Sequence, residues 1–231
     1  MFDALWNNGW VLLAIIATQI YALHEVTRDI FRDVYTFLKR VAKPNIASAI
    51  MAIAYWPGTL LHEISHAFAA LLVGAKMHKI HFLPEYSDGH IVMGTAEISR
   101  LGPIRRVFAG VAPFAVGIAA LLGLTYLLDH ASSLLLQSLI ALALFQVSNN
   151  MFLSEADLEY FFPLILFIAT AIIAAIVWAM TFGLDVPAQA WQGSFGEESM
   201  VFLQTASKYI LVVLLLNAAI HAIVRVSTDQ D

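Results

Sequence analysis

The sequence contains no cysteine. That removes disulfides, thiolate metal ligands and a cysteine nucleophile together, and it leaves the redox compartment undetermined. Charge is scarce as well: charged residues make up 13% of the chain, against about 25% in ordinary soluble domains. The net charge is −5 and no basic cluster is interleaved with aromatics, so nucleic acid is not an expected partner. There is no internal repeat and no low-complexity segment. The longest stretch between apolar runs, 74–106, leaves no room for an additional soluble domain. The opening MFDALWNNGW has neither a positively charged start nor a small-residue cleavage site, so the first apolar run is expected to be retained as a span.

What the chain has is hydrophobicity. Of its 231 residues 60% are hydrophobic, and its mean hydropathy is +0.78. This composition predicts an all-α polytopic membrane protein with about six transmembrane helices. Trp6 to Leu23 reads as the first span, with Trp6, Trp10 and Tyr21 as interfacial aromatics. From His24 to Lys43, Val26, Ile30, Val34, Phe37, Leu38 and Val41 recur at helical spacing among mixed charges. That pattern predicts a juxtamembrane amphipathic helix with a solvated charged face, ended by Pro44 and Asn45.

The stretch 46–73 carries the chemistry. A hydrophobic run long enough to cross a bilayer holds His62, Glu63 and His66 in its middle, although a charged group at that depth costs about 2.5–3.5 kcal/mol on insertion scales. In a helix, positions i and i+4 share a face, so the two imidazoles of HEISH can grip one zinc ion. Glu63 is then placed to act as general base on water. A chance HExxH on a soluble helix would form part of a polar face, but Ile64, Ala67, Phe68, Ala69, Ala70, Leu71 and Leu72 leave no such face here. Pro57-Gly58, just ahead of the motif, predicts a kink or restart of the helix, either to admit water or as a packing feature.

Further along, 77–98 alternates in the manner of strands around Ser87-Asp88-Gly89 and predicts a small membrane-associated β-hairpin. Its edge could pair with an extended peptide. His78, His81 and His90 fit no standard ligand spacing and read as surface histidines. Arg100, Arg105 and Arg106 mark a headgroup-level anchor. The third span is Val107 to Leu128, with Gly110, Pro113 and Gly117 giving a surface for close packing. The fourth runs from Leu134 to about Val147 and is followed by Ser148, Asn149 and Asn150. Glu155, Asp157 and Glu159 precede a fifth span, Pro163 to Phe182. One of these carboxylates can complete a site of two histidines and one acid, or Asp157 can simply cap the next helix. A sixth span, Phe202 to Val226, contains Asn217 and His221, the latter expected at the interface. The chain thus divides into 1–45, the first span and surface helix; 46–165, the catalytic membrane core; and 166–231, the C-terminal spans.

With these residues in view, the chain resembles the site-2 protease family of intramembrane zinc metalloproteases over about residues 46–165. The resemblance rests on the membrane-embedded His62-Glu63-Ile64-Ser65-His66 followed by a hairpin-like segment. AGVAPFAVG also stands where the family has a Gly-Pro-containing span, and Asn149 and Asp157 have the spacing of the family's asparagine and third-ligand aspartate. Two features depart from the family pattern: Asp157 lies between Ala156 and Leu158 and not in Leu-Asp-Gly, and the asparagine of the Gly-Pro segment is missing. Glu155 and Glu159 therefore stay rivals of Asp157.

The resemblance implies hydrolysis of peptide bonds in or near transmembrane segments of protein substrates. It implies Zn2+ held by His62, His66 and Asp157, Glu63 as the catalytic acid–base, Asn149 binding substrate, and a hairpin on the cytoplasmic side of a bacterial or archaeal cell membrane. Oligomeric state is not readable. Two other functions use the same residues: a transporter holding a transient ion, and an inactive scaffold that binds membrane helices. A transporter needs polar residues along a full path and often an internal repeat, neither of which is present, and a scaffold has no need of Glu63.

Overall fold

Asn8 starts the first helix, α1 (Gly9–Val41), by accepting hydrogen bonds from the N–H groups of Trp10 and Val11 at 3.0 and 3.2 Å, the usual work of an N-cap side chain. The computed structural model describes residues 8–75, 77–81, 85–87, 90–92, 95–98, 102–152, 170, 174, 177, 178, 181 and 196–228. Lys39 and Arg40 close α1 at its negative end. Lys43 is extended, as a residue before proline prefers, and Pro44 occupies the first turn of α2 (Pro44–Leu72).

The expected division of this region into a span and a separate surface helix is corrected. α1 is one helix through His24, because nothing between residues 10 and 41 is Gly or Pro and the backbone ladder has no reason to stop. At 33 residues it is about 50 Å long and exceeds the roughly 30 Å of hydrocarbon. The charges are therefore the overhang of the same helix. They pair locally, Arg28 with Glu25 and Arg32 with Asp29, the second at 3.1 Å, and such exposed pairs contribute at most about 0.5 kcal/mol each.

α2 runs unbroken through Pro57, so the expected restart does not occur. It ends in a Schellman arrangement. Gly74 takes a left-handed φ of +79°, its N–H reaches Leu71 O, and the Ala75 N–H reaches Ala70 O. Four short strands follow: β1 (Met77–His81), β2 (Glu85–Ser87), β3 (His90–Val92) and β4 (Thr95–Ile98). β1 pairs antiparallel with β4 and β2 with β3, with Ile80 opposite Ala96 and Ser87 opposite His90. They lie beside α2.

Gly102 and Pro103 open α3 (Pro103–His130). After a three-residue turn, the Ser133 hydroxyl caps α4 (Leu134–Asn150) by accepting from the Leu136 N–H. The last described helix, α5 (Glu197–Thr228), carries Glu197 and Glu198 in its first turn and Arg225 in its last, in register with its dipole. Of the expected fifth span only residues 170, 174, 177, 178 and 181 are described, all helical; its remainder lies outside the described residues.

Leu23, Leu121, Ile140, Leu144, Val147, Met151 and Val213 form the main core, drawn from α1, α3, α4, α5 and the residue after α4. Outside it the usual pattern is reversed. Leu134, Ile53 and Phe108 are exposed, while Asn217 and Ser148 are fully buried. Polar groups inside and large apolar groups outside suit a hydrocarbon solvent. Gly9–Val41, Ile104–His130 and Glu197–Val226 are long and apolar enough to cross a membrane, and the chain is a helical membrane protein. α2 is not among them, since Tyr55 to Gly58 and the HEISH residues dilute its apolar content.

α1 and α5 run parallel. The Ser207 hydroxyl lies 3.3 Å from Gln19 Oε1, and His221 Nε2 lies 3.2 Å from Asp33 Oδ2, so both numbers rise together along the pair. In a chain of six alternating spans the first and last would be antiparallel. That arrangement does not suit the expected six, and among the described residues three helices are long and apolar enough to cross a membrane.

Candidate metal centre

On the half-buried face of α2, His62 and His66 are one turn apart and their rings converge, with Nε2 atoms 3.1 Å from each other and ring centroids 4.7 Å apart. The opposite edge of each ring meets a backbone carbonyl. His62 Nδ1 lies 2.6 Å from Asn150 O, at the C-terminus of α4, and His66 Nδ1 lies 2.8 Å from Ala109 O, on α3.

Carbonyl oxygens only accept, so both Nδ1 atoms must carry a proton. In neutral imidazole that leaves both Nε2 atoms as lone-pair acceptors. Two lone pairs aimed at one another at 3.1 Å repel unless a proton on one Nε2 or a metal cation lies between them. Two nitrogens on one tetrahedral zinc, at 2.0–2.1 Å each, sit about 3.3 Å apart. The pair therefore fits such an ion in separation and protonation, and the carbonyls supply the outer hydrogen bonds that orient metal-binding histidines.

The approach of α4 to α2 depends on Gly58. A Cβ there would collide with the Asn150 side chain and the Gln146 carbonyl. Asn150 is further fixed by the Thr59 hydroxyl, which donates to its Oδ1 at 3.0 Å, and by its own Nδ2, which donates to Gln146 O at 2.9 Å. The carbonyl of Asn150 is one of the helix-end acceptors with no donor in its own helix, and the negative end of α4 thus faces the imidazole pair. Gly117 lets α3 come equally close, since a Cβ there would strike Met151.

Among the acidic candidates, Glu63 is half-buried on α2 beside His62. Asp157, Glu155 and Glu159 lie outside the described residues, and among the described residues no group of three His, Cys, Asp or Glu side chains converges. Asn149, expected to bind substrate, is turned toward α5. Its Nδ2 donates to Phe145 O and to Asn217 Oδ1 at 2.8 and 2.9 Å, while Asn217 donates to Ser148 Oγ and Val213 O. Asn149 Oδ1 is buried with no hydrogen-bond partner among the described residues. Asn150, which the sequence reading passed over, reaches the histidines instead. His221 is engaged with Asp33.

The chain matches no family model, no curated protein and no solved structure.

Proposed function

We propose that this protein is a zinc-dependent intramembrane endopeptidase that hydrolyses peptide bonds in or near the transmembrane segments of other proteins. The observation that carries the reading is the facing Nε2 pair of His62 and His66, with both Nδ1 protons committed to backbone carbonyls. His62 and His66 would hold the metal, with Asp157 as the proposed third ligand. A zinc ion bound there would supply Lewis-acid polarisation of water and of the scissile carbonyl.

The remaining work falls to the chain. Glu63 takes a proton from the attacking water on its carboxylate and delivers it to the departing amine nitrogen. A helical substrate hides its carbonyls in its own hydrogen bonds, so it must be unwound. The strands beside α2 offer backbone donors and acceptors on which an extended segment can pair.

The test uses purified protein in lipid vesicles with a model transmembrane substrate. Zinc bound to the wild type and lost in His62→Ala, together with cleavage lost in Glu63→Gln while zinc is kept, supports the reading. Zinc transport by wild type without cleavage marks a transporter, and helix binding without either marks a scaffold; both overturn it.

A further inference from the structure

The carbonyl that holds His66 belongs to a residue in the interior of a helix. In α3, Ala109 O would ordinarily accept from the N–H of residue 113, and residue 113 is a buried proline. Proline has no N–H, and its ring pushes against the carbonyl four residues earlier. Ala109 O is therefore left without its intrahelical donor and free to turn outward, where His66 Nδ1 meets it at 2.8 Å. The surroundings permit the approach. Ala70, Ala75 and Ala109 form a small buried cluster between the end of α2 and α3, and residues of that size let two backbones come close.

We propose that Pro113 is a positioning residue for the metal centre: by withholding a backbone N–H it reserves the Ala109 carbonyl for His66, fixing that ring with its proton on Nδ1 and its Nε2 lone pair toward His62. The two histidines are thus oriented by two acceptors made available in different ways, one by the end of α4 and one by a proline inside α3. Alanine at 113 would restore a donor to Ala109 O, make the histidine compete for it, and release the ring to rotate or change tautomer. This inference rests on the zinc reading of the pair. It adds a residue that neither ligates metal nor touches substrate.

The experiment compares full-length wild type, Pro113→Ala, and a third protein in which residue 113 is lactic acid, so that an ester oxygen replaces the amide N–H on an alanine-sized side chain. Two quantities are read: zinc affinity by competition with a chelator, and the nitrogen-15 shifts of the His66 ring in metal-free protein. Pro113→Ala is expected to weaken zinc 10- to 100-fold, the range for loss of an orienting partner, and to move His66 off the Nδ1–H tautomer. The ester is expected to restore both. Unchanged affinity and tautomer in Pro113→Ala would overturn the proposal. So would equal loss in alanine and ester, because the ring shape and not the missing N–H would then matter. Failure of the wild type to bind zinc overturns the zinc reading instead, and the ring shifts of metal-free protein still decide the role of Pro113.

Discussion

His62 and His66 face each other with Nε2 atoms 3.1 Å apart, each anchored from behind by a backbone carbonyl of a different helix. Spacing on α2 alone sets the two rings on one side, but a lone i, i+4 pair leaves both free to rotate. The carbonyls of α3 and α4 remove that freedom, so the geometry belongs to the packed bundle and not to the motif.

Loss of either imidazole should empty the site. His62→Ala and His66→Ala are each expected to purify with far less zinc than wild type, measured by elemental analysis. Zinc at 100 times its Kd should stabilise the wild type by about 2.7 kcal/mol, seen as a raised Tm, and neither variant should show that rise.

Gly58→Ala places a methyl group where the Asn150 side chain and the Gln146 carbonyl already are. Overpacking of this kind costs about 1–3 kcal/mol. Here it also drives Asn150 O away from His62, so zinc affinity should fall together with stability. A thermal melt paired with a chelator titration checks both, and intact affinity in a destabilised variant would separate the packing from the site.

The histidine pair was legible in the sequence because its logic is local: i and i+4 on a helix, in apolar surroundings. The orienting groups were not, because backbone carbonyls carry no residue-type signal. The sequence shows Pro113 and Gly58 as a packing element and a kink, and only packing reveals which acceptor each makes available or lets approach. The onset of charge at His24 suggested a helix boundary, yet apolar spacing continued to Val41 and the helix continued with it. Composition changes where a helix leaves the bilayer; backbone structure need not. Asn149 and Asn150 are adjacent, and their opposite directions depend on Asn217 and Gly58, which lie far away in the chain.

Asn217→Leu should damage the bundle and spare the metal. Asn217 is fully buried, with Asn149 donating to it and its own amide donating to Ser148 and Val213. Removing it leaves the amide of Asn149 short of an acceptor, and such buried losses cost about 1–3 kcal/mol. Denaturation in detergent is expected to shift by that amount while zinc stoichiometry stays at the wild-type value.

The parallel course of α1 and α5 can be read directly, and the absence of native cysteine makes the measurement clean. Gln19→Cys with Ser207→Cys, and Asp33→Cys with His221→Cys, are each expected to join in membranes under a short thiol-specific crosslinker, with the linked peptides identified by mass spectrometry. An antiparallel pair of helices can satisfy one of these contacts but not both. Positions 19 and 33 are about 21 Å apart along a helix at 1.5 Å per residue, and reversing one partner moves the second contact away by twice that distance. The mixed pair, Gln19→Cys with His221→Cys, should stay unlinked for the same reason. Efficient linking of the mixed pair, or failure of either matched pair in folded protein, would overturn the parallel arrangement.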